Sequence, residues 1–203
     1  MGYSWKRARL SLKPVRNQEL FEAKRKQLYS LMNLHNQGYI DLYFADESHF
    51  GLTPNVPYAW QHKDKPILLP ARKSNRLTAF GLMTTDCRLK YYLSMGSMNS
   101  QNIISYMDDL CKTITKKTII VLDNAPIHKS KLFKSKMDQW AEQDLIIFFL
   151  PPYSPELNKI EILWRFIKYR WLPLDAFLNF QNLKDRLNNV IENVGSKYII
   201  NFY

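Results

Sequence analysis

Three short stretches of this chain are apolar on both faces of an extended backbone: "YIDLYFADES" from Tyr39, "KTIIVLDNAPIH" from Lys117 and "LIIFFLPP" from Leu145. Side chains of a strand alternate between its two faces, so a strand with one wet face reads apolar, polar, apolar. Only a strand covered on both sides can be apolar throughout. Such strands need other elements packed above and below them. Three of them commit the chain to a mixed α/β architecture with the three at its centre.

The remaining sequence supplies the cover. "NQELFEAKRKQLYSLMNLHNQ" (17–37) carries helical spacing through Leu20, Phe21, Leu28, Leu31 and Leu34, and Gly38 ends it. "RLTAFGLMTT" (76–85) and "LKYYLSMG" (89–96) read as a hairpin of strands joined through Asp86–Arg88. Helices are expected over 100–113, with Ser100 as N-cap, and over 129–144, 156–172 and 180–194. Residues 51–75, with Pro54, Pro57, Pro66 and Pro70, read as a loop holding a short strand at "YAWQ". Residues 1–38 form a basic arm and linker helix, and 39–203 one α/β domain.

No apolar run approaches the ~18 residues needed to span a bilayer, so no membrane is expected. Cys87 and Cys111 form no CxxC pair, which argues against a zinc or disulfide framework and fits a reducing cytoplasm. Lys and Arg number 29 against 18 acids, a net charge of +11. A surplus of that size points to a polyanionic partner, nucleic acid first. Lys6, Arg7 and Arg9 in the acid-free N-terminal arm are candidate DNA contacts.

Asp46 and Asp123 stand at the C-terminal ends of two of the apolar runs, where α/β sheets place their sites. An Asp there can also simply cap a turn. The third acid is Glu161, in "LPPYSPELNKIEILW" (150–164). With Ile160 as reference, Leu157, Trp164, Ile167 and Trp171 fall within about 60° and form a buried stripe, with Glu161 at about 100°, on its edge. The prolines before it restrict the backbone and help fix where the helix starts. Glu161 could instead pair with Arg165 one turn on. Three carboxylates without thiols or clustered histidines suit a hard cation, Mg²⁺ or Mn²⁺.

"YFADES", "VLDNAPIH" and "LPPYSPELNKIEILWRFIK" together resemble the catalytic domain of DDE transposases, in the bacterial insertion-sequence branch of the Tc/mariner superfamily. The resemblance runs from about residue 39 to 172, and the 37 residues between Asp123 and Glu161 fit that group. It implies an RNase H-like fold, a mixed five-stranded sheet flanked by helices. Asp46 would lie on the first strand, Asp123 on the fourth and Glu161 on the helix after the fifth, as catalytic, metal-holding residues. The implied reaction is phosphodiester cleavage at a transposon end, then attack of the freed 3′-hydroxyl on target DNA, usually at a TA step. It further implies DNA as partner, a homodimer on paired ends, and a bacterial, nucleoid-associated location. Full-length relatives carry helix-turn-helix modules before this domain, so the chain is expected to be a catalytic half.

Around the acids, Asn124 and His128 are candidate supporting residues. Lys159, Arg165 and Lys168 are candidate DNA contacts. Tyr153 and Trp60 could stack on bases, whereas Trp164 belongs to the core. Glu47 points to the face opposite Asp46. Glu156 is expected as a first-turn acid favoured by the helix dipole, and Asp108 and Asp109 as solvated. Two other readings remain: another RNase H-like endonuclease, against which the proline block argues, and a non-catalytic DNA-binding remnant, against which the intact acids argue.

Overall fold

The computed structural model describes residues 13–56, 58–69 and 75–202, so Lys6, Arg7 and Arg9 lie outside the described residues. The three apolar runs become neighbours in one sheet. Its strands are β1 (Asp41–Phe50), β2 (Leu77–Met83), β3 (Leu89–Met95), β4 (Thr118–Leu122) and β5 (Leu145–Phe149), in spatial order β3-β2-β1-β4-β5. β4 and β5 run parallel to β1, and β2 and β3 form the antiparallel hairpin. The hairpin turns through Cys87, which takes a left-handed backbone (φ 64°).

The helices are α1 (Gln18–Asn36), α2 (Ser100–Cys111), α3 (Lys131–Glu142), α4 (Ile160–Phe166) and α5 (Phe180–Glu192). They cover both faces. Leu42 and Phe44 of β1 join Phe21 and Leu28 of α1, Ile160 and Trp164 of α4, and Leu183 and Leu187 of α5 in one core. Tyr43 and Ala45, one residue out of phase, join Ile103 and Met107 of α2 and Phe133 and Trp140 of α3 in the other. The alternation in "LYFA" thus divides one strand between two cores, as a strand buried on both faces requires.

Four local expectations need correction. Asn99, not Ser100, caps α2: its side chain accepts the N–H of Asn102 at 3.0 Å, and the Asn102 side chain accepts the Asn99 N–H at 3.1 Å. That reciprocal pair satisfies two free donors where a serine one residue later would satisfy fewer. β5 is the edge strand, with Ile146 to Phe149 partly exposed. The Lys24 ammonium of α1 lies 4.4 Å over the Phe148 ring there, so a long amphipathic side chain supplies cover. "YAWQ" forms no strand; a lone His62–Lys65 bridge is the only pairing among the described residues of that loop.

The long helix expected over 156–172 is the largest departure. It is three pieces: a 3₁₀ turn at Pro155–Leu157, α4, and a π-helical turn at Ile167–Trp171. The apolar stripe still faces inward, with Leu157, Ile160, Trp164 and Ile167 buried. Leu163, which at about 60° from Ile160 lies on the opposite edge of the same stripe from Leu157, is fully buried as well.

Candidate active site

Asp46 owes its place to sheet register. β1 pairs with β4 as far as Phe44 opposite Val121, then continues against β2 alone to Phe50. The same register carried two residues further sets Asp46 beside Asp123, the first residue after β4. Asp46 lies on the face of Leu42 and Phe44, the side on which α4 packs. Glu161, in the first turn of α4, approaches from that side. Asp46, Asp123 and Glu161 line one cavity of about 450 Å³ together with Asn124, Lys129 and Tyr153.

The acids strain one another. Burial, then the charges of Glu161, Glu47 and Asp123, push the Asp46 carboxyl up to about 8. It therefore holds a proton at neutral pH unless a cation arrives. Burial also raises Glu161, Lys168 pulls it down, and Asp123 adds to the rise. Asp123 goes the other way, its carboxyl lowered chiefly by a hydrogen bond from His128. Its Oδ1 accepts His128 Nδ1 at 2.9 Å and the Ala125 N–H at 2.9 Å. The turn-capping role of a strand-end Asp is thus filled here too.

His128 is fully buried, and its Nε2 lies 3.4 Å from Glu47 Oε1, an ion-pair contact longer than a good hydrogen bond. Burial opposes its charge, but Asp123 and Glu47 outweigh burial and raise it to about 9. Glu47 does point away from Asp46, and it meets His128 from the α2–α3 side. One imidazolium therefore ties β1 to the loop after β4. Asn124 ties the ends of β4 and β5, donating its side-chain N–H to the Leu150 carbonyl. Lys168 is half-buried, with Glu161 and Asp46 opposing the loss of its charge by burial.

Glu161 is held differently, by packing of its helix. Asn158 is buried and donates Nδ2 to the Ala45 carbonyl at 3.0 Å, next to Asp46 in the chain. Trp164 lies over Gly81, the register partner of Asp46 on β2. A Cβ at Gly81 would stand 2.8 Å from Trp164 Cη2 and 3.0 Å from Ile160 Cδ1, so only glycine lets α4 settle this close. Glu161 makes no ion pair with Arg165 among the described residues. Glu156 is not a helix-dipole acid. It sits in the 3₁₀ turn and pairs with Arg16 at 2.5 Å and Lys13 at 3.4 Å.

The sequence profile of the family described as DDE superfamily endonuclease matches residues 41–184, well over half of the chain. The chain belongs to that family. The family implies use of divalent metal. All three acids fall within the matched span. An uncharacterized protein of Sinorhizobium fredii is 31% identical over 65 residues, 32% of this chain and 44% of its own length. The structure described as Mos1 transposase paired-end complex with left transposon end superposes with a TM-score of 0.64 at 16% identity, over 95% of this chain and 60% of that one. The catalytic domain of Mos1 mariner transposase superposes with a TM-score of 0.54 at 13% identity, over 96% of this chain and 94% of that one. The fold is thus the RNase H-like one of the Mos1 catalytic domain, with a mixed five-stranded sheet between helices. The chain spans less than two thirds of the curated relative and of the full Mos1 transposase chain.

Of the expected DNA-contacting residues, Arg165 and Lys168 line a groove of about 760 Å³ that includes Glu161 and continues past the carboxylate cavity. Lys159 precedes α4 and lines neither space. Sequence reasoning missed Gly81 and Asn158. The glycine inside an otherwise apolar strand was the available signal for the first, since such a glycine often marks close approach of another element. Asp108 is not solvated as expected: it accepts the Trp140 Nε1–H at 2.7 Å and pairs with Lys136 at 3.2 Å, joining α2 to α3.

Proposed function

We propose that this chain is the catalytic domain of a DNA transposase and that Asp46, Asp123 and Glu161 are its metal-holding catalytic residues. The observation that carries the reading is that three acids, remote in sequence and delivered by three different elements, line one cavity. The donor set fits a hard cation, because it is all oxygen and because burial, with the neighbouring acids adding to it, keeps Asp46 protonated without one. Among the described residues no three His, Cys, Asp or Glu side chains are placed to hold a metal ion by themselves. Mg²⁺ is commonly held by one or two carboxylates plus substrate phosphate and water, which suits acids spread around a cavity. Mos1 paired-end complexes are described with Mn and with Mg.

When bound, a pair of such ions supplies Lewis acidity for an in-line displacement at phosphorus. The protein does the rest. Lys168, beside Glu161 and Asp46, offers positive charge to a phosphate oxygen. His128 and the Ala125 N–H hold Asp123 in one orientation. A water oxygen would bond to phosphorus as the P–O bond to the 3′ oxygen breaks, a proton from the water passing to that oxygen; the 3′-hydroxyl so freed would then bond to a target phosphorus as the target's own P–O3′ bond breaks, the hydroxyl proton passing to the departing 3′ oxygen. Two copies would meet on paired ends. Nicking of plasmid DNA in Mg²⁺ tests the reading: Asp123→Asn should abolish it while the protein still folds, at a lower unfolding temperature because buried His128 loses its charged partner. Undiminished nicking by that variant would refute the assignment.

A further inference from the structure

Tyr153 carries an unexplained cost. It takes a left-handed backbone, φ 58°, where a bulky residue is strained and glycine or asparagine is not. The side chain is half exposed and makes no hydrogen bond, ion pair or ring contact among the described residues. The turn is held without it: Pro151 and Pro152 restrict the backbone before it, and Ser154 Oγ donates to the Pro152 carbonyl at 3.1 Å. What the conformation does achieve is to set Tyr153 among the residues that line the carboxylate cavity, where Lys129 also stands.

We propose that Tyr153 is a stacking platform for one unpaired nucleobase next to the phosphate being cut, an inference that rests on the DNA-cleaving reading above. At about 450 Å³ the cavity is of the size that takes one small ligand, not a base-paired stack. A phosphate directed to the acids would bring its own base against the cavity wall. An aromatic ring there favours a base that has left the duplex, and it does so for any sequence, because every base has a π-face. Unpaired or mismatched nucleotides give up less stacking to enter. The chain should therefore prefer DNA that is locally open at the cutting position.

Binding of a short matched duplex and of the same duplex with a central mismatched bubble, at fixed salt and Mg²⁺, tests this. The wild-type protein and Tyr153→Phe should favour the bubble. Tyr153→Ala and Tyr153→Gly should weaken bubble binding by roughly five- to a hundredfold, the usual worth of one stacked base, and leave matched-duplex binding nearly unchanged. Tyr153→Gly should unfold at the same or a higher temperature, since glycine adopts this φ without strain. Equal binding of both duplexes by wild type, or an unaltered Tyr153→Ala, overturns the proposal. So does a Tyr153→Gly variant that loses its fold, because the ring would then be structural. A wild-type chain that binds neither duplex refutes the DNA-cleaving reading itself.

Discussion

Gly81→Ala is the most informative single change in the core, because it acts on Glu161 without touching it. The added Cβ would meet Trp164 Cη2 at 2.8 Å, Trp164 Cζ2 at 2.9 Å and Ile160 Cδ1 at 3.0 Å. Both residues are buried on α4, on either side of Glu161 in sequence, so the far wall cannot give freely. Restoring a carbon contact to about 3.5 Å needs α4 to move outward by roughly 0.7 Å. Overpacking costs about 1–3 kcal/mol, partly offset by roughly 0.5–1 kcal/mol from removing a strand glycine. Unfolding temperature should thus fall by only a few degrees. A ligand constellation tolerates only about 0.5 Å of error, so Mn²⁺ affinity and nicking should fall further, on the order of tenfold or more. Calorimetric Mn²⁺ titration beside a thermal melt separates the two effects. Trp164→Phe removes the two indole atoms nearest the new methyl, so Gly81→Ala/Trp164→Phe should recover metal affinity relative to Gly81→Ala. A folded Gly81→Ala protein that binds Mn²⁺ and nicks like wild type would refute the argument, as would a double variant no better than the single.

The metal-free protein should lose stability as pH rises from neutral. His128, held at about 9 when folded against 6.5 unperturbed, contributes fully below about 6.5 and nothing above about 9. Asp46, raised from 3.8 to about 8, costs stability increasingly from about pH 4 to about pH 8 and no further above that, so Asp46→Asn should flatten the melting-temperature profile between those limits; an unchanged profile would contradict the assigned cause. Asp108→Ala leaves the buried Trp140 Nε1–H without its carboxylate and should cost about 1–3 kcal/mol in urea unfolding, with no effect on Mn²⁺ affinity. DNA affinity should drop steeply between roughly 50 and 200 mM salt, as release of counterions by a +11 protein requires, and a flat response would count against electrostatic binding.

The parts of the fold readable from sequence were those set by local rules. Runs apolar on both faces marked β1 and β4, and Gly38, with φ 81°, ends α1 where expected. Asp123 does follow the end of its strand, as expected, but Asp46 does not end β1, which continues against β2 to Phe50; the pairing that supports those last residues lies in a distant hairpin. What stayed hidden depended on distant partners. Ile146 to Phe149 read as a run buried on both faces, but burial depends on a neighbouring strand, and β5 has one on one side only. Glu156 looked like a helix-dipole acid because its partner, Arg16, lies 140 positions away. The break at Ile167 into a π-turn left the apolar spacing intact, so periodicity could not reveal it.

This difference divides the site itself. Asp46 is fixed within the β1–β2 ladder, and Asp123 stands one residue past the end of β4, where His128 and Ala125 hold it. Glu161 sits on a helix of only seven residues, bounded by a 3₁₀ turn and a π-turn. So short a segment gains little from its own hydrogen bonds, and its position is set by packing against Gly81 and by the Asn158–Ala45 bond. Moving Asp46 means breaking sheet hydrogen bonds and moving Asp123 means breaking its bonds to His128 and Ala125, whereas moving Glu161 means sliding one tryptophan. Under the proposed metal-holding role Glu161 would thus be the adjustable acid of the three, and variants that alter metal affinity without unfolding the sheet should cluster at residues 81, 158, 160 and 164.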